Sequence, residues 1–316
     1  MSSATLVPET RDLTGDDAWH VLKRHGRWRL ATEGWERLLA GDGFTHARSL
    51  AFTISLVAIE GLIGLVGLAS VVHQPEVGRI IEDVIRQVVP GPAGKVLSTA
   101  VSHAHHVARH HHYLALVFGV LGTLYVATIA MGQLERGLNR IYGLEEDRPP
   151  LEKYTRAFVF ALSAGSLCTA SFACLALGRS LFGATKSDAL STTWAIVRWP
   201  LGLALITVAV TLLFRYSPQR HQPKLSWLAF GSGISVISWA VLTGLLGLFY
   251  SISSSFTSTY GPLAGIVALL VWSFLSSCAL FYGAAMAAQL ESLRSGVSQP
   301  KAKARKARTA RKKRTR

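Results

Sequence analysis

The chain has 316 residues, of which 50% are hydrophobic and only 16% are charged. Soluble domains usually carry about a quarter of charged residues, so this composition excludes a water-covered enzyme domain and a disordered chain. The net charge is nonetheless +15, and the segment Lys301–Arg316 contains ten Lys and Arg residues and no acid. The sequence therefore predicts an integral membrane protein with a basic tail.

Six stretches are long and apolar enough to cross a bilayer, whose core takes about 20 helical residues. They predict spans near 47–69, 113–131, 155–178, 194–214, 227–250 and 265–290. The predicted fold is therefore all-α and polytopic, with six transmembrane helices. We expect a cytoplasmic segment 1–46, a membrane domain 47–292 and a basic cytoplasmic tail 293–316.

The distribution of Lys and Arg indicates the orientation. The segment before the first span and the loops after the second and fourth spans are basic, whereas the loop Ser251–Ala264 has no charge. Basic loops stay on the cytoplasmic side of a membrane. Both termini are therefore predicted to be cytoplasmic, in a multi-pass membrane protein.

The loop between the first two spans has two amphipathic patterns. Apolar residues recur at helical spacing from Val77 to Val88 and again from Val96 to Val107, and Pro90-Gly91-Pro92 separates the two runs. The pattern predicts an extracytoplasmic hairpin of two amphipathic helices, resting either on the bundle or on the outer leaflet.

Six histidines lie between His103 and His112, at the end of the second pattern. His103, His106 and His110 have a helical spacing that suits a divalent metal, and a histidine cluster also suits a pH-dependent role. No acid or cysteine accompanies them, and a polar helix end explains them as well. They are weak candidates, so no metal site is predicted. The cysteines lie inside apolar runs and no phosphate-binding loop is present, so no cofactor is predicted either.

Glu60 lies near the middle of the first predicted span. An ionised carboxylate that faces lipid costs several kcal/mol, so Glu60 should face the bundle, be protonated or have a partner. It marks either a polar cavity with a proton or cation site, or a structural hydrogen bond between helices.

The uncharged loop Ser251–Ala264 is the second part of a predicted substrate groove. Its hydroxyls suit a segment that dips into a bundle, because they can satisfy a broken backbone. The groove candidates in this loop are Ser254, Ser255, Thr257, Thr259, Tyr260 and Gly261. A hydroxyl-lined mouth and a plain short loop both fit this composition.

Basic residues are the candidates for binding lipid headgroups. Arg136, Asn139 and Arg140 follow the second span, where they suit a phosphate group, although pairing with nearby acids is the plainer alternative. The tail would attract anionic headgroups at about 1 kcal/mol per basic residue. It has no aromatic residue to stack on bases, so a specific nucleic-acid partner is not expected. The sequence leaves an oligomer open.

Three short motifs lie at the ends of predicted spans. RGLNRIYG occupies 136–143, TYGPLAG occupies 259–265 and is followed by LLVW at 269–272, and RYSP occupies 215–218. Together they resemble the YihY/BrkB family of bacterial inner-membrane proteins, over about residues 40–292. The resemblance implies a six-helix inner-membrane bundle with a proposed transport role.

Members of this family are often labelled ribonuclease BN. A zinc-dependent hydrolase of that kind needs a His-x-His-x-Asp-His motif, and His103-Ala104-His105-His106 lacks the acid. We therefore interpret the label as a misnomer and expect no enzyme. The predicted function is that of a transporter or flippase-like protein for a lipid or amphipathic substrate. The alternative is a non-transporting membrane scaffold that binds anionic lipids or partner proteins.

Overall fold

The structure is a computed structural model, and it describes residues 4–71, 76–182, 188–253, 256 and 259–297. In these residues the regular structure is helical, without strands. The helices are α1 Gly15–His25, α2 Arg27–Ala40, α3 Gly43–Val71, α4 Glu76–Val88, α5 Gly91–Tyr142, α6 Pro150–Phe182, α7 Asp188–Tyr216, α8 Leu225–Ile252 and α9 Ala264–Arg294. A single 3-10 turn, Gly261–Leu263, precedes α9.

Five helical segments of the described chain are long and apolar enough to cross a membrane. They are Gly43–Val71, Leu116–Tyr142, Ile196–Tyr216, Leu225–Ile252 and Ala264–Arg294. The third predicted span lies in α6, whose side chains 172–182 are outside the described part. The protein is thus an all-α polytopic membrane protein, and the count of six spans stays a prediction.

Helix α5 differs from the sequence prediction because it is continuous. The sequence predicted one helix over Val96–Val107 and a separate span over 113–131, whereas α5 runs for 52 residues. Residues 108–113 contain neither glycine nor proline, so nothing in this stretch ends the helix. The second arm of the predicted hairpin and the second span are one element.

Helix α5 is strongly bent, because two distant parts of it contact the same neighbour. Gly265 of α9 lies against Pro92 and Val96, while Gly137 lies against Phe281 of α9. A straight helix would separate Val96 from Gly137 by about 61 Å, against about 24 Å between Gly265 and Phe281. The first part of α5 therefore folds back along the bundle.

The hairpin of α4 and the first part of α5 packs on the bundle through an apolar cluster. Its buried members are Val66, Val84, Ile85, Val88, Val89, Ala93, Leu97, Val101, Ala104, Ala108, Ala268 and Leu269. These side chains come from α3, α4, α5 and α9. The sequence left open whether the hairpin rests on the bundle or on the outer leaflet. In the structure the hairpin packs on the bundle.

Glycines set the distances between the central helices. A Cβ at Gly119 of α5 would lie 2.5 Å from the backbone nitrogen of Gly64 in α3. In the same way, a Cβ at Gly283 of α9 would collide with Gly231 and Ser235 of α8. Small residues permit such backbone contact between spans. Helices α3, α5, α8 and α9 therefore form a tightly packed centre.

Helices α6 and α7 form a pair at the side of this centre. They pack against each other, and the pair is joined to the rest through α5, α4 and α8. Within the described chain, neither helix packs extensively against α3 or α9. The pair is therefore less firmly held than the central helices.

We expect Gly119→Ala to lower the free energy of unfolding by about 1–3 kcal/mol, because the added methyl group would overpack the α3–α5 contact. Gly233→Ala on α8 is the matched control, since no described atom lies within 4 Å of its added Cβ. Thermal unfolding in detergent measures both. Equal midpoints for the two variants would contradict the close approach.

Candidate functional site

Glu60 lies in the α3–α5 interface. Its side chain is half-buried, and its Oε2 atom is 2.8 Å from the position that a Cβ on Gly122 would occupy. A glycine at 122 therefore leaves the space that the carboxylate fills. Among the described residues Glu60 takes part in no hydrogen bond or ion pair. The carboxylate thus has free acceptor positions next to a helix backbone.

Hydroxyl groups elsewhere in the spans are already used for packing. The hydrogen bonds between spans include Ser55 with Ser273 at 2.9 Å, Thr211 with Ser232 at 2.6 Å, and Trp272 with Thr243 at 3.2 Å. Such bonds hold helices together at a modest gain each. They satisfy the hydroxyls, whereas the carboxylate of Glu60 has no such partner in the part of the chain that the structure describes.

The uncharged loop after α8 is only partly described. Ser254, Ser255 and Thr257 lie outside the described residues, while Thr259, Tyr260 and Gly261 are exposed. Gly261 has a φ of 51°, a left-handed conformation that favours glycine. The ring of Phe256 lies 5.0 Å from that of Tyr250 and 4.9 Å from that of Tyr260. The described part of the predicted mouth is therefore aromatic as well as hydroxylic.

Two of the motifs found in the sequence meet at one end of the bundle. This end, called the basic end below, carries the N-terminal segment and the α5–α6 and α7–α8 connections. Asn139 is fully buried there: its amide nitrogen donates to Asp147 (3.2 Å), and its oxygen accepts from the backbone N–H of Gln219 (2.8 Å). Asn139 therefore joins the two connections and has no free face for a headgroup.

The two candidate arginines are more open. Arg136 forms an ion pair with Asp147 at 3.2 Å and keeps 48% of its side chain exposed. Arg140 donates to the backbone oxygen of Leu144 at 2.7 Å. Both lie beside Asn139 at the same helix end, so Arg136 is the candidate with most surface available for an anionic group.

Arg148 stabilises the α7–α8 connection at the same end. It donates to the backbone oxygens of Ser217 and Pro218, at 2.9 and 3.0 Å, and forms an ion pair with Glu135 at 3.0 Å. Its side chain and that of Glu135 are both buried. The RYSP segment is thus held by a charge from the α5–α6 connection.

Three further buried charged residues were not expected from the sequence: Arg37, Arg220 and Glu291. Arg220 pairs with Glu291 at 2.6 Å and stacks over the ring of Tyr142, with its Cζ 4.7 Å from the ring centroid. Thr10 donates to the same carboxylate at 2.5 Å. These contacts tie the N-terminal segment to the α7–α8 connection and to α9.

Arg37 is fully buried on the face of α2 that packs on α9. Its guanidinium donates to Gln289 Oε1 (2.8 Å), Ser292 Oγ (3.1 Å) and the backbone oxygen of Thr5 (3.1 Å). Burial lowers the pKa of Arg37 to about 10, so it stays charged at neutral pH. Its place on the same helical face as Leu30 and Leu38 was the signal in the sequence.

The histidine candidates lie on α5. His103 and His106 are exposed, and the side chain of His110 is outside the described part of the chain. Over the residues that the structure describes, no group of three or more His, Cys, Asp or Glu side chains is arranged to hold a metal ion.

These features together are those of a polytopic α-helical membrane protein with a polar basic end and a carboxylate between two helices that has no partner among the described residues. The family profile described as virulence factor BrkB matches residues 35–309. The chain therefore belongs to the virulence factor BrkB family, and the resemblance seen in the sequence is confirmed.

Relatives include a ribonuclease-like protein named YfkH from Bacillus subtilis, 25% identical over 258 residues, which are 79% of this chain and 91% of the relative. A UPF0761 membrane protein of Rhodospirillum rubrum is 30% identical over 77% of this chain and 54% of its own length. A UPF0761 membrane protein of Aromatoleum aromaticum is 28% identical over 78% of this chain and 60% of its own length. The chain thus spans little more than half of these two UPF0761 relatives. No solved structure matches the chain.

We expect Asp147→Asn to lower the thermal midpoint at pH 7, and we expect its difference from the wild type to shrink progressively as the pH falls below about 4. Burial raises the pKa of Asp147, but the hydrogen bond from Asn139 and the charges of Lys153, Arg140 and Arg136 outweigh it and lower the pKa overall. A carboxyl whose pKa is lower in the folded state stabilises the fold above its unfolded pKa, about 3.9, and loses this contribution as the pH falls.

Unfolding of the wild type and the variant across about pH 2–7 measures this difference. Glu145→Gln, which removes an exposed acid of the same connection, is the control and should match the wild type throughout. A pH-independent gap between wild type and Asp147→Asn would contradict the electrostatic explanation.

Proposed function

We propose that the protein moves a lipid or another amphipathic molecule across the bacterial inner membrane, as a transporter or flippase-like protein. The observation that carries this proposal is the carboxylate of Glu60, which lies between two spans without a partner among the described residues. An acid at this depth is costly unless it meets a proton, a cation or a polar group of a substrate. Intramembrane acids are therefore functional candidates by default.

The orientation follows from the charges. The basic end carries Arg136, Arg140 and Arg148, and the positive-inside rule puts such connections in the cytoplasm. Both termini are then cytoplasmic. Membrane lipids are the proposed partners, with anionic headgroups at Arg136, Arg140 and the basic tail 293–316. Most of that tail lies outside the described residues.

Replacing Glu60 by glutamine should lower the rate of lipid movement about tenfold or more, because a hydrogen bond to a charged group contributes about 1.5–3 kcal/mol. The measurement uses proteoliposomes that contain a fluorescent phosphatidylethanolamine. A reductant added outside quenches each labelled lipid that moves from the inner to the outer leaflet, and the loss of fluorescence gives the rate. Asp83→Asn, an exposed acid on α4, is the control.

Gly122→Ala provides a second variant that leaves Glu60 in place. The added Cβ would lie 2.8 Å from the carboxylate, so this variant should also be slowed. Full activity of Glu60→Gln in a normally folded protein would remove the carboxylate from the mechanism. A wild type that moves no lipid would favour the scaffold, in which Glu60→Gln changes stability alone.

The ribonuclease-like name of the Bacillus subtilis relative applies to that protein. For this chain we propose no ribonuclease activity, because the His103–His106 stretch lacks the acid that a dinuclear zinc site needs. Purified protein should leave a labelled transfer RNA precursor intact with and without added zinc. Zinc-dependent cleavage that survives repurification and is lost in His103→Ala would contradict this.

A further inference from the structure

Helices α5 and α6 pack closely near the basic end. A Cβ at Gly132 of α5 would lie 3.5 Å from Tyr154 Cε1 and 3.6 Å from Lys153 Cε. Further along α6, Ala157 and Ala161 are 1% and 6% exposed. Small residues on both helices thus allow close contact over the first turns of α6.

Further from the basic end, the described side chains of α6 no longer cover the same face of α5. Phe118, Leu121 and Tyr125 share the face of α5 that carries Gly132, yet they are 69%, 61% and 70% exposed. On α6, Gly165 lies three turns beyond Tyr154 on the same face, and no described atom lies within 4 Å of its Cβ position. We name this opening the α5–α6 cleft and define it by Phe118, Leu121, Tyr125 and Gly165.

The cleft opens at membrane depth. Its α5 side belongs to the apolar segment Leu116–Tyr142, which is long enough to cross a bilayer. At this depth the surrounding solvent is lipid, so an apolar opening between two spans is filled by hydrocarbon. The cleft is also next to the proposed site, because Gly122 lies between Leu121 and Tyr125 and contacts the carboxylate of Glu60.

We propose that an acyl chain of a membrane phospholipid occupies the α5–α6 cleft, and that the cleft is the lateral route by which the substrate reaches Glu60. This inference rests on the proposed function and names its substrate class. The apolar side chains of Phe118 and Leu121 hold the chain, and the hydroxyl of Tyr125 is the polar group that the substrate meets nearest to Gly122.

Gly165→Trp tests the route by filling the cleft. The indole has room, so the thermal midpoint should stay near that of the wild type. Gly244→Trp on α8 is the matched control, because its Cβ position is equally open and lies on a helix that does not border the cleft. We expect Gly165→Trp to slow the movement of fluorescent phosphatidylethanolamine at least fivefold, and Gly244→Trp to leave it unchanged.

Native mass spectrometry after delipidation gives a second readout that does not depend on transport. The wild type and Gly244→Trp should retain a phospholipid that Gly165→Trp has lost. If the wild type moves lipid and Gly165→Trp does so equally fast, the route is wrong while the proposed function stands. If the wild type moves no lipid, the proposed function fails. In that case phospholipid retention alone tests whether an acyl chain occupies the cleft. Equal retention by the wild type, Gly165→Trp and Gly244→Trp would overturn the proposed occupancy.

Discussion

The backbone contact between α3 and α5 is the constraint on which the proposed site depends. Gly64 and Gly119 bring the two helices close enough that a carboxylate one turn away must lie against Gly122. A larger residue at any of these positions would either separate the helices or displace Glu60. The same closeness fixes the direction in which Phe118, Leu121 and Tyr125 point, so the cleft and the carboxylate are two results of one packing arrangement.

The two ends of the bundle are stabilised by different forces. The basic end is held by buried charges, with Arg37, Arg148 and Arg220 donating to side chains and backbone oxygens of distant segments. The hairpin side is held by aliphatic side chains of α3, α4, α5 and α9. Charged hydrogen bonds depend on direction, whereas apolar contacts do not. The basic end therefore fixes geometry more strictly than the other side of the molecule.

Hydropathy was sufficient to predict the helical class and the approximate position of the five spans found in the described chain, because length and apolarity alone decide whether a helix can cross a bilayer. It could not predict that α5 is one bent helix, since the bend arises from contacts with α9 more than 120 residues away. Hydropathy could not predict the buried ion pair Arg220–Glu291 either, because the two residues are 71 positions apart in the sequence. Glu60 could be predicted because an acid inside an apolar run stands out in the sequence alone. The burial of Asn139 could not, because it depends on contacts with Asp147 and Gln219, which lie in two different connections.

The contacts that hold α6 at the basic end have a mechanical consequence for this helix. Within the described chain α6 also packs on α7 and α4, but not extensively on α3 or α9, so a tilt of α6 about its contact with Gly132 would carry α7 along and leave α3 and α9 in place. Gly165 lies 11 residues beyond Tyr154, about 16 Å along the helix, so a tilt of about 10° at the contact with Gly132 would displace it by about 3 Å. Such a tilt would widen the opening at Gly165 by somewhat less than the width of one acyl chain, and the charged contacts of the basic end would stay in place.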